Sequence, residues 1–206
     1  MSRERSYDQY CGLARTLDLV GDRWNLLLVR ELLAGPRRFR DLSGSLPGIA
    51  TNLLTDRLRR LEAGGVIERV LLDGASAYGL TPWGLGLREP IEGLIRWSAP
   101  LMATGPQPTD TFEPRWLTVA LPALVPPRRS GASVVIGVEV AGMLLAIRVG
   151  RDGSTVTLDP VERPAVVVVG DAPLVLGLAA GMVDLDHPGL VIEGDRRVVT
   201  DVFGCT

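Results

Sequence analysis

The sequence predicts an α+β protein in two halves. The first is helical and closes on a two-stranded hairpin; the second is an α/β domain on a mainly antiparallel sheet. Three observations predict this. Apolar residues recur at helical spacing through most of the first 63 positions. Two short strand-like runs flank the turn pair Asp73-Gly74. From 133 to 170 the chain becomes a series of β-branched runs separated by Gly and Asp. Between the halves lies TGPQPTD, 104–110, polar and proline-rich, which marks a boundary. The expected domains are 1–105 and 106–206.

The elements follow in order. Leu13, Leu17 and Val20 share one side of a first helix, which Gly21-Asp22 breaks. Trp24 to Leu33 is apolar nearly all round, so this second helix should be central; Gly35-Pro36 stops it. Phe39 and Leu42 anchor a short third helix, and Pro47-Gly48 makes the turn, with Ile49 packed behind it. A long helix runs from Ala50 or Thr51 to Ala63, with Gly64-Gly65 at its C-terminal end. Val66–Val70 and Ala77–Leu80 form the hairpin. Thr81-Pro82 suits the start of a further helix carrying Leu85, Ile91, Leu94, Ile95 and Trp97, kinked at Pro90. In the second half, Glu113–Val125 has helical spacing. Ser133–Val140, Met143–Val149, Ser154–Leu158 and Ala165–Gly170 read as a four-stranded meander. Ala172–Met182 reads as an apolar helix, Leu190–Glu193 as a fifth strand, and Gly194–Phe203 as a closing helix.

Composition excludes several function classes. The chain has 206 residues and a net charge of −2, divided as +2 over 1–105 and −4 over 106–206. Every basic residue is arginine. Six of them, Arg37, Arg38, Arg40, Arg57, Arg59 and Arg60, cluster around the long helix, and a local patch matters more to a phosphate backbone than the total. Cys11 and Cys205 sit near opposite ends without a CxxC pair, against a disulfide scaffold or a zinc site. The N-terminus lacks an apolar signal core, and the longest apolar runs, such as Leu26–Val29 and Ala165–Val169, are far too short to span a bilayer. A soluble, cytoplasmic protein is expected. No nucleotide loop, nucleophile elbow or metalloprotease motif is present. The one histidine, His187, precedes Pro188 in a loop beside Asp184 and Asp186. No catalytic constellation, metal site or cofactor is expected.

The long helix carries the functional expectation. Stepping about 100° per residue places Leu54, Leu58 and Leu61 in one stripe. Asn52, Asp56 and Arg59 fall opposite, flanked by Thr55 and Arg60. Helices followed by a hairpin make a winged helix-turn-helix, and this polar face suits the DNA major groove. Thr51, Asn52, Thr55 and Asp56 are the base-edge candidates, and Arg59 either reads a base or clamps phosphate. Arg60, flanking this face, is a further DNA-binding candidate, and Arg37, Arg38, Arg40 and Arg69 are backbone candidates. Arg57 leans toward the core and either joins them or pairs with an internal carboxylate. Cys11 opens the first helix; there a thiol is either a small buried apolar residue or an activated one.

The stretch CGLARTLDLVGDRWNLLLVRELLAGPRRFRDLSGSLPGIATNLLTDRLRRLEAGGVIER, followed by YGLTPWG, resembles the HxlR family of bacterial winged-helix regulators, relatives of the MarR group. The resemblance implies a homodimer on palindromic operator DNA, its dimer built by the first and last helices. It also implies, for some members, sensing of oxidants or aldehydes through the cysteine aligned with Cys11. Two departures stand out. Ala50 occupies a position where a capping Ser is common, which weakens the helix start unless Thr51 caps. The wing, DGASA, lacks the proline-containing segment often found there. The second half is similar to sterol-carrier-like domains through PRWLTVALPALVPP, ERPAVVVVGDAPLVLGLAAG and VIEGDRRVVTDVFG. That similarity implies an apolar cavity for a lipid-like ligand, lined by Trp116, Leu174, Leu178, Met182 and Phe203; the same residues also suit a plain core. The functional expectation is a dimeric regulator of double-stranded DNA controlled by an apolar small molecule. The alternatives are a thiol-based regulator using Cys11 and a lipid carrier.

Overall fold

The computed structural model describes residues 6–129 and 131–204, so Cys205 lies outside the described residues. The chain is α+β and divides into two compact units between Ile91 and Glu92.

The first unit begins with α1 (Gly12–Val20) and α2 (Asn25–Leu33). Trp24 does not join α2; it is the residue before it, in the left-handed region at φ 84°. Helix α3 (Phe39–Ser45) and helix α4 (Thr51–Ala63) flank the Pro47-Gly48 turn. Gly48 sits at φ 89°, a conformation glycine adopts without a steric penalty, and Ile49 is buried behind it. Leu28, Leu42, Leu54, Leu58 and Leu61 are fully buried, so the predicted α4 stripe is a core stripe. Thr51 does not cap α4. Ala50 is the N-cap and makes no side-chain cap bond, while the Thr51 carbonyl accepts from Thr55 Oγ1 at 2.9 Å.

Strands β1 (Ile67–Leu72) and β2 (Ala75–Leu80) form the antiparallel hairpin, with Leu72 opposite Ala75. Asp73 and Gly74 both have positive φ, 50° and 75°, the tight two-residue turn that an Asp-Gly pair favours. The helix expected after Thr81 is not one kinked rod. It is a single turn, α5 (Pro82–Leu85), then α6 (Arg88–Ser98), separated around Gly86. Pro90 lies in the first turn of α6, where its missing N–H costs no helical bond, so the break falls at glycine instead. Thr81 caps α5 by accepting from Gly84 N at 2.9 Å.

In the second unit, 3₁₀ turns at Ala99–Thr104 and Pro114–Trp116 precede α7 (Leu117–Leu124). Then come β3 (Val134–Val140), β4 (Met143–Gly150), β5 (Gly153–Leu158), β6 (Val167–Val169), α8 (Ala172–Ala179), β7 (Val191–Glu193) and α9 (Arg196–Phe203). The sheet is mainly antiparallel, but the first four strands are not a meander. The order is β5-β4-β3-β6-β7, and β6 pairs parallel with β3. Val166, Val167 and Val168 are all buried, and a run apolar on both faces suits an interior strand, here with β3 on one side and β7 on the other. The crossing segment, 159–166, is held by Arg163, whose Nη1 and Nη2 bond Glu139 of β3 and Glu193 of β7 at 3.1 and 2.8 Å. Those two hydrogen bonds raise the Arg163 pKa further. One sheet face, with Ile136, Val138, Leu145 and Ile147, shares a core with Leu117, Leu121, Leu178 and Val202.

Candidate nucleic-acid interface

The burial of Leu54, Leu58 and Leu61 leaves the opposite face of α4 outside. Thr51, Asn52, Thr55 and Arg59 are exposed there. Asn52 Oδ1 accepts from Leu53 N at 2.9 Å, and among the described residues its amide nitrogen makes no hydrogen bond. Among the described residues no carboxylate lies within ion-pair distance of Arg59. Asp56 is half-buried and differs in its engagement: Arg60 Nε lies 3.1 Å and Arg57 Nη1 3.3 Å from its Oδ2. An acid so neutralised sits in a phosphate-facing surface with less repulsion than a bare carboxylate.

The arginines separate into two groups. Arg40 is exposed beside Asp41, and Arg60 is half exposed beside Asp56. Arg37, Arg38 and Arg57 point inward. Arg37 lies 3.8 Å from the fully buried Glu31 and donates to the Asp41 carbonyl at 3.1 Å. Arg38 donates to the Leu72 carbonyl at 3.1 Å and meets Asp73 at 3.3 Å. Arg57, only 14 % exposed, meets Asp22 at 2.6 Å, the internal pairing that its place on the wheel left open. Arg69 stacks over Tyr78, 4.3 Å from the ring centre, with Glu62 at 3.3 Å.

An exposed polar helix backed by a leucine core and followed by a hairpin is the geometry of a winged helix-turn-helix, and residues 19–105 match the family model for an HxlR-like helix-turn-helix. The HTH-type transcriptional regulator YodB of Bacillus subtilis is 32 % identical over 83 residues, which span 39 % of this chain and 74 % of YodB. This chain belongs to the HxlR-like helix-turn-helix family of transcriptional regulators. An uncharacterised HTH-type regulator of Mycobacterium tuberculosis is 40 % identical over 88 residues, 41 % of this chain and 55 % of that one. Among solved structures, that of quinone-bound YodB from B. subtilis is 30 % identical and covers 42 % of this chain and 93 % of its own, at a TM-score of 0.38. The HxlR match ends at 105, so the second unit lies outside it almost entirely.

Cys11 also lies outside that match. It is exposed, not the buried apolar residue that one reading allowed. It is the N-cap of α1 without a side-chain cap hydrogen bond, and the nearby backbone N–H groups of Ala14 and Leu13 hold its thiol below the ordinary value. The five candidate ligand residues differ in setting. Leu178 and Phe203 are buried in the core, and Leu174 packs against it half-buried. Trp116 is half-buried edge-on to Phe112, with ring centres 6.0 Å apart. Met182 is 43 % exposed, on an open dent shared with Val183, Asp184, Asp186 and His187. His187 is exposed, and its Nδ1 accepts from Gly189 N at 3.1 Å. Among the described residues no group of three His, Cys, Asp or Glu side chains is placed to hold a metal ion, and no helix is long and apolar enough to cross a membrane.

Two residues in this HxlR-type unit escaped the sequence reading. Glu31 is a fully buried acid on α2, bonded by Arg30 at 2.8 Å and faced by Arg37. Asp22, read only as a helix breaker, holds Arg57 and approaches Arg60 at 3.9 Å. The signal for Glu31 was present: a lone acid on a helix apolar nearly all round has to be paired.

Proposed function

We propose that this HxlR-type regulator binds operator DNA as a homodimer, with α4 in the major groove. The observation that carries the reading is the two-faced α4: Leu54, Leu58 and Leu61 fully buried, Thr51, Asn52, Thr55 and Arg59 exposed. Asn52 suits adenine, through paired amide bonds to N6 and N7, and Arg59 suits guanine O6 and N7. Arg40 and Arg60 grip phosphates beside them. The inward partners of Arg37 and Arg57 make these two struts of the helix-turn-helix. Dimerisation is supported by exposed apolar side chains, Leu13 and Leu17 on α1 and Leu94 and Trp97 on α6. The two α4 helices of the dimer then lie about 34 Å apart, one turn of B-DNA.

The test is a gel shift at stated salt on duplexes selected from a random-sequence library. Asn52→Ala and Arg59→Ala should each weaken specific binding by about 1–3 kcal/mol, roughly five- to 150-fold. Two variants that bind the selected site as wild type does would end the reading.

For 1–105 and 106–206 as separate domains, the second is proposed as a sterol-carrier-like module whose apolar ligand shifts operator affinity. Its support is an α/β core of almost wholly aliphatic residues beside the half-buried Trp116 and Leu174. Native mass spectrometry of the purified protein tests it. A ligand that leaves operator affinity unchanged would favour a carrier, since an effector must bind two states unequally. A second reading, a thiol switch, is favoured by the exposed, thiolate-prone Cys11. Cys11→Ser should abolish any change of operator affinity with oxidant; a response equal to wild type would remove the switch.

A further inference from the structure

Arg38 is placed by sequence among the phosphate-gripping arginines, yet its guanidinium is engaged within the protein. Its Nη2 donates to the carbonyl of Leu72 at 3.1 Å and lies 3.3 Å from Oδ2 of Asp73. Leu72 ends β1, and Asp73 opens the turn at the wing tip. Arg38 is also the N-cap of α3. Its neighbour Arg37 exchanges both backbone hydrogen bonds with Tyr78 of β2, at 2.9 and 2.8 Å. The start of α3 therefore lies alongside β2, and the Arg38 side chain reaches from there to the tip. It is 28 % exposed, against 82 % for Asp73.

We propose that Arg38 is a wing-positioning residue. By bracing Leu72 and Asp73 it fixes the angle of the β1–β2 turn to the helix-turn-helix, so that the wing meets the minor groove flanking the one α4 enters. The inference rests on the DNA-binding reading above. Charge alone cannot place this wing. From Leu71 to Ala77 it carries no cation, and its one ionised group, Asp73, is repelled by phosphate. Arg69, the nearest cation along β1, is already stacked on Tyr78 and paired with Glu62. What the tip presents is Leu71, 80 % exposed, together with small residues, a surface that works by shape in a minor groove. A two-stranded hairpin is marginal by itself, so its direction has to be imposed from outside. Arg38 imposes it and offsets the Asp73 charge.

The test uses the full chain on a duplex recovered from a random-sequence library. Hydroxyl-radical cleavage reports the minor groove, and methylation of guanine N7 reports the major groove. The variants are Arg38→Ala and Asp73→Asn. The second keeps the hairpin, because Asn-Gly suits this turn as well as Asp-Gly does. Both variants should lose the flanking minor-groove protection and keep the major-groove protection under α4. The slope of log affinity against log salt should stay that of wild type, and the double variant should be no weaker than Arg38→Ala. A phosphate contact predicts the reverse: Arg38→Ala lowers the salt slope by about 1, and Asp73→Asn frees Arg38 and tightens binding. Either result overturns the assignment. Should Arg38→Ala melt early and lose both protections, Asp73→Asn alone decides, by losing or keeping the wing protection. Wild-type chain that protects no site would overturn the DNA reading and this inference together; wing protection retained in Asp73→Asn overturns this inference alone.

Discussion

Arg57→Ala tests whether the arginines of α4 divide into struts and contacts. Arg57 Nη1 lies 2.6 Å from Asp22 Oδ2, with Arg57 14 % and Asp22 37 % exposed. Exposed pairs contribute up to about 1 kcal/mol, and removing one partner of a buried pair costs about 3–5 kcal/mol. This pair is intermediate. Asp22 keeps Arg60 at 3.9 Å, so its charge is not left alone, and a cost between those two cases applies, about 2 kcal/mol. For a unit of this size about 4–8 °C of melting temperature accompanies each kcal/mol, so the first unit should melt about 8–16 °C lower. Calorimetry on the full chain resolves this, and a double-mutant cycle with Asp22→Ala should return a coupling of about 1–2 kcal/mol. A variant that melts within about 2 °C of wild type while binding operator more weakly would refute the strut. Arg57 would then be a DNA contact.

Leu58→Ala removes a fully buried side chain from the centre of the α4 stripe and should cost about 2–5 kcal/mol by urea unfolding. A value below about 1 kcal/mol would mean that α4 does not pack as described. Gly84→Ala would drive a Cβ into the Val66 carbonyl oxygen, so α5 must shift, and circular dichroism melting should show marked destabilisation. Asp171→Ala removes the cap bond to Leu174 N at 2.9 Å and should cost about 0.5–2 kcal/mol, read on the unfolding of the second unit. Cys11 in a Cys205→Ser background should react with iodoacetamide faster than a free cysteine at neutral pH, because a lowered pKa leaves more thiolate. The rate should stop rising at a lower pH than for the free thiol; the same pH profile for both would remove the activation.

Legibility in the sequence tracked the range of the physics. The α4 stripe, the Pro47-Gly48 turn and the Asp73-Gly74 hairpin were readable because each is set by residues within a few positions of one another. The fifth strand and the closing helix were readable for the same reason, although α9 begins at Arg196 and not at Gly194. The place of β6 was not. Its Val-rich run announces a buried strand and says nothing of which strand lies beside it. The sequence points to Pro90 for the break that falls around Gly86, since it does not tell a first-turn proline from an interior one until the helix start is known.

By itself, the sequence determined the two-faced helix α4, the hairpin behind it and the α+β class, because periodicity and turn chemistry are local. Only the tertiary structure decided what each arginine does. A guanidinium on a flexible stem takes whichever carboxylate or carbonyl the fold brings within reach. Asp22 for Arg57 lies 35 positions away, and Leu72 and Asp73 for Arg38 lie 34 and 35 positions away. Arg59, on the same helix as Arg57, meets no such partner among the described residues and is exposed.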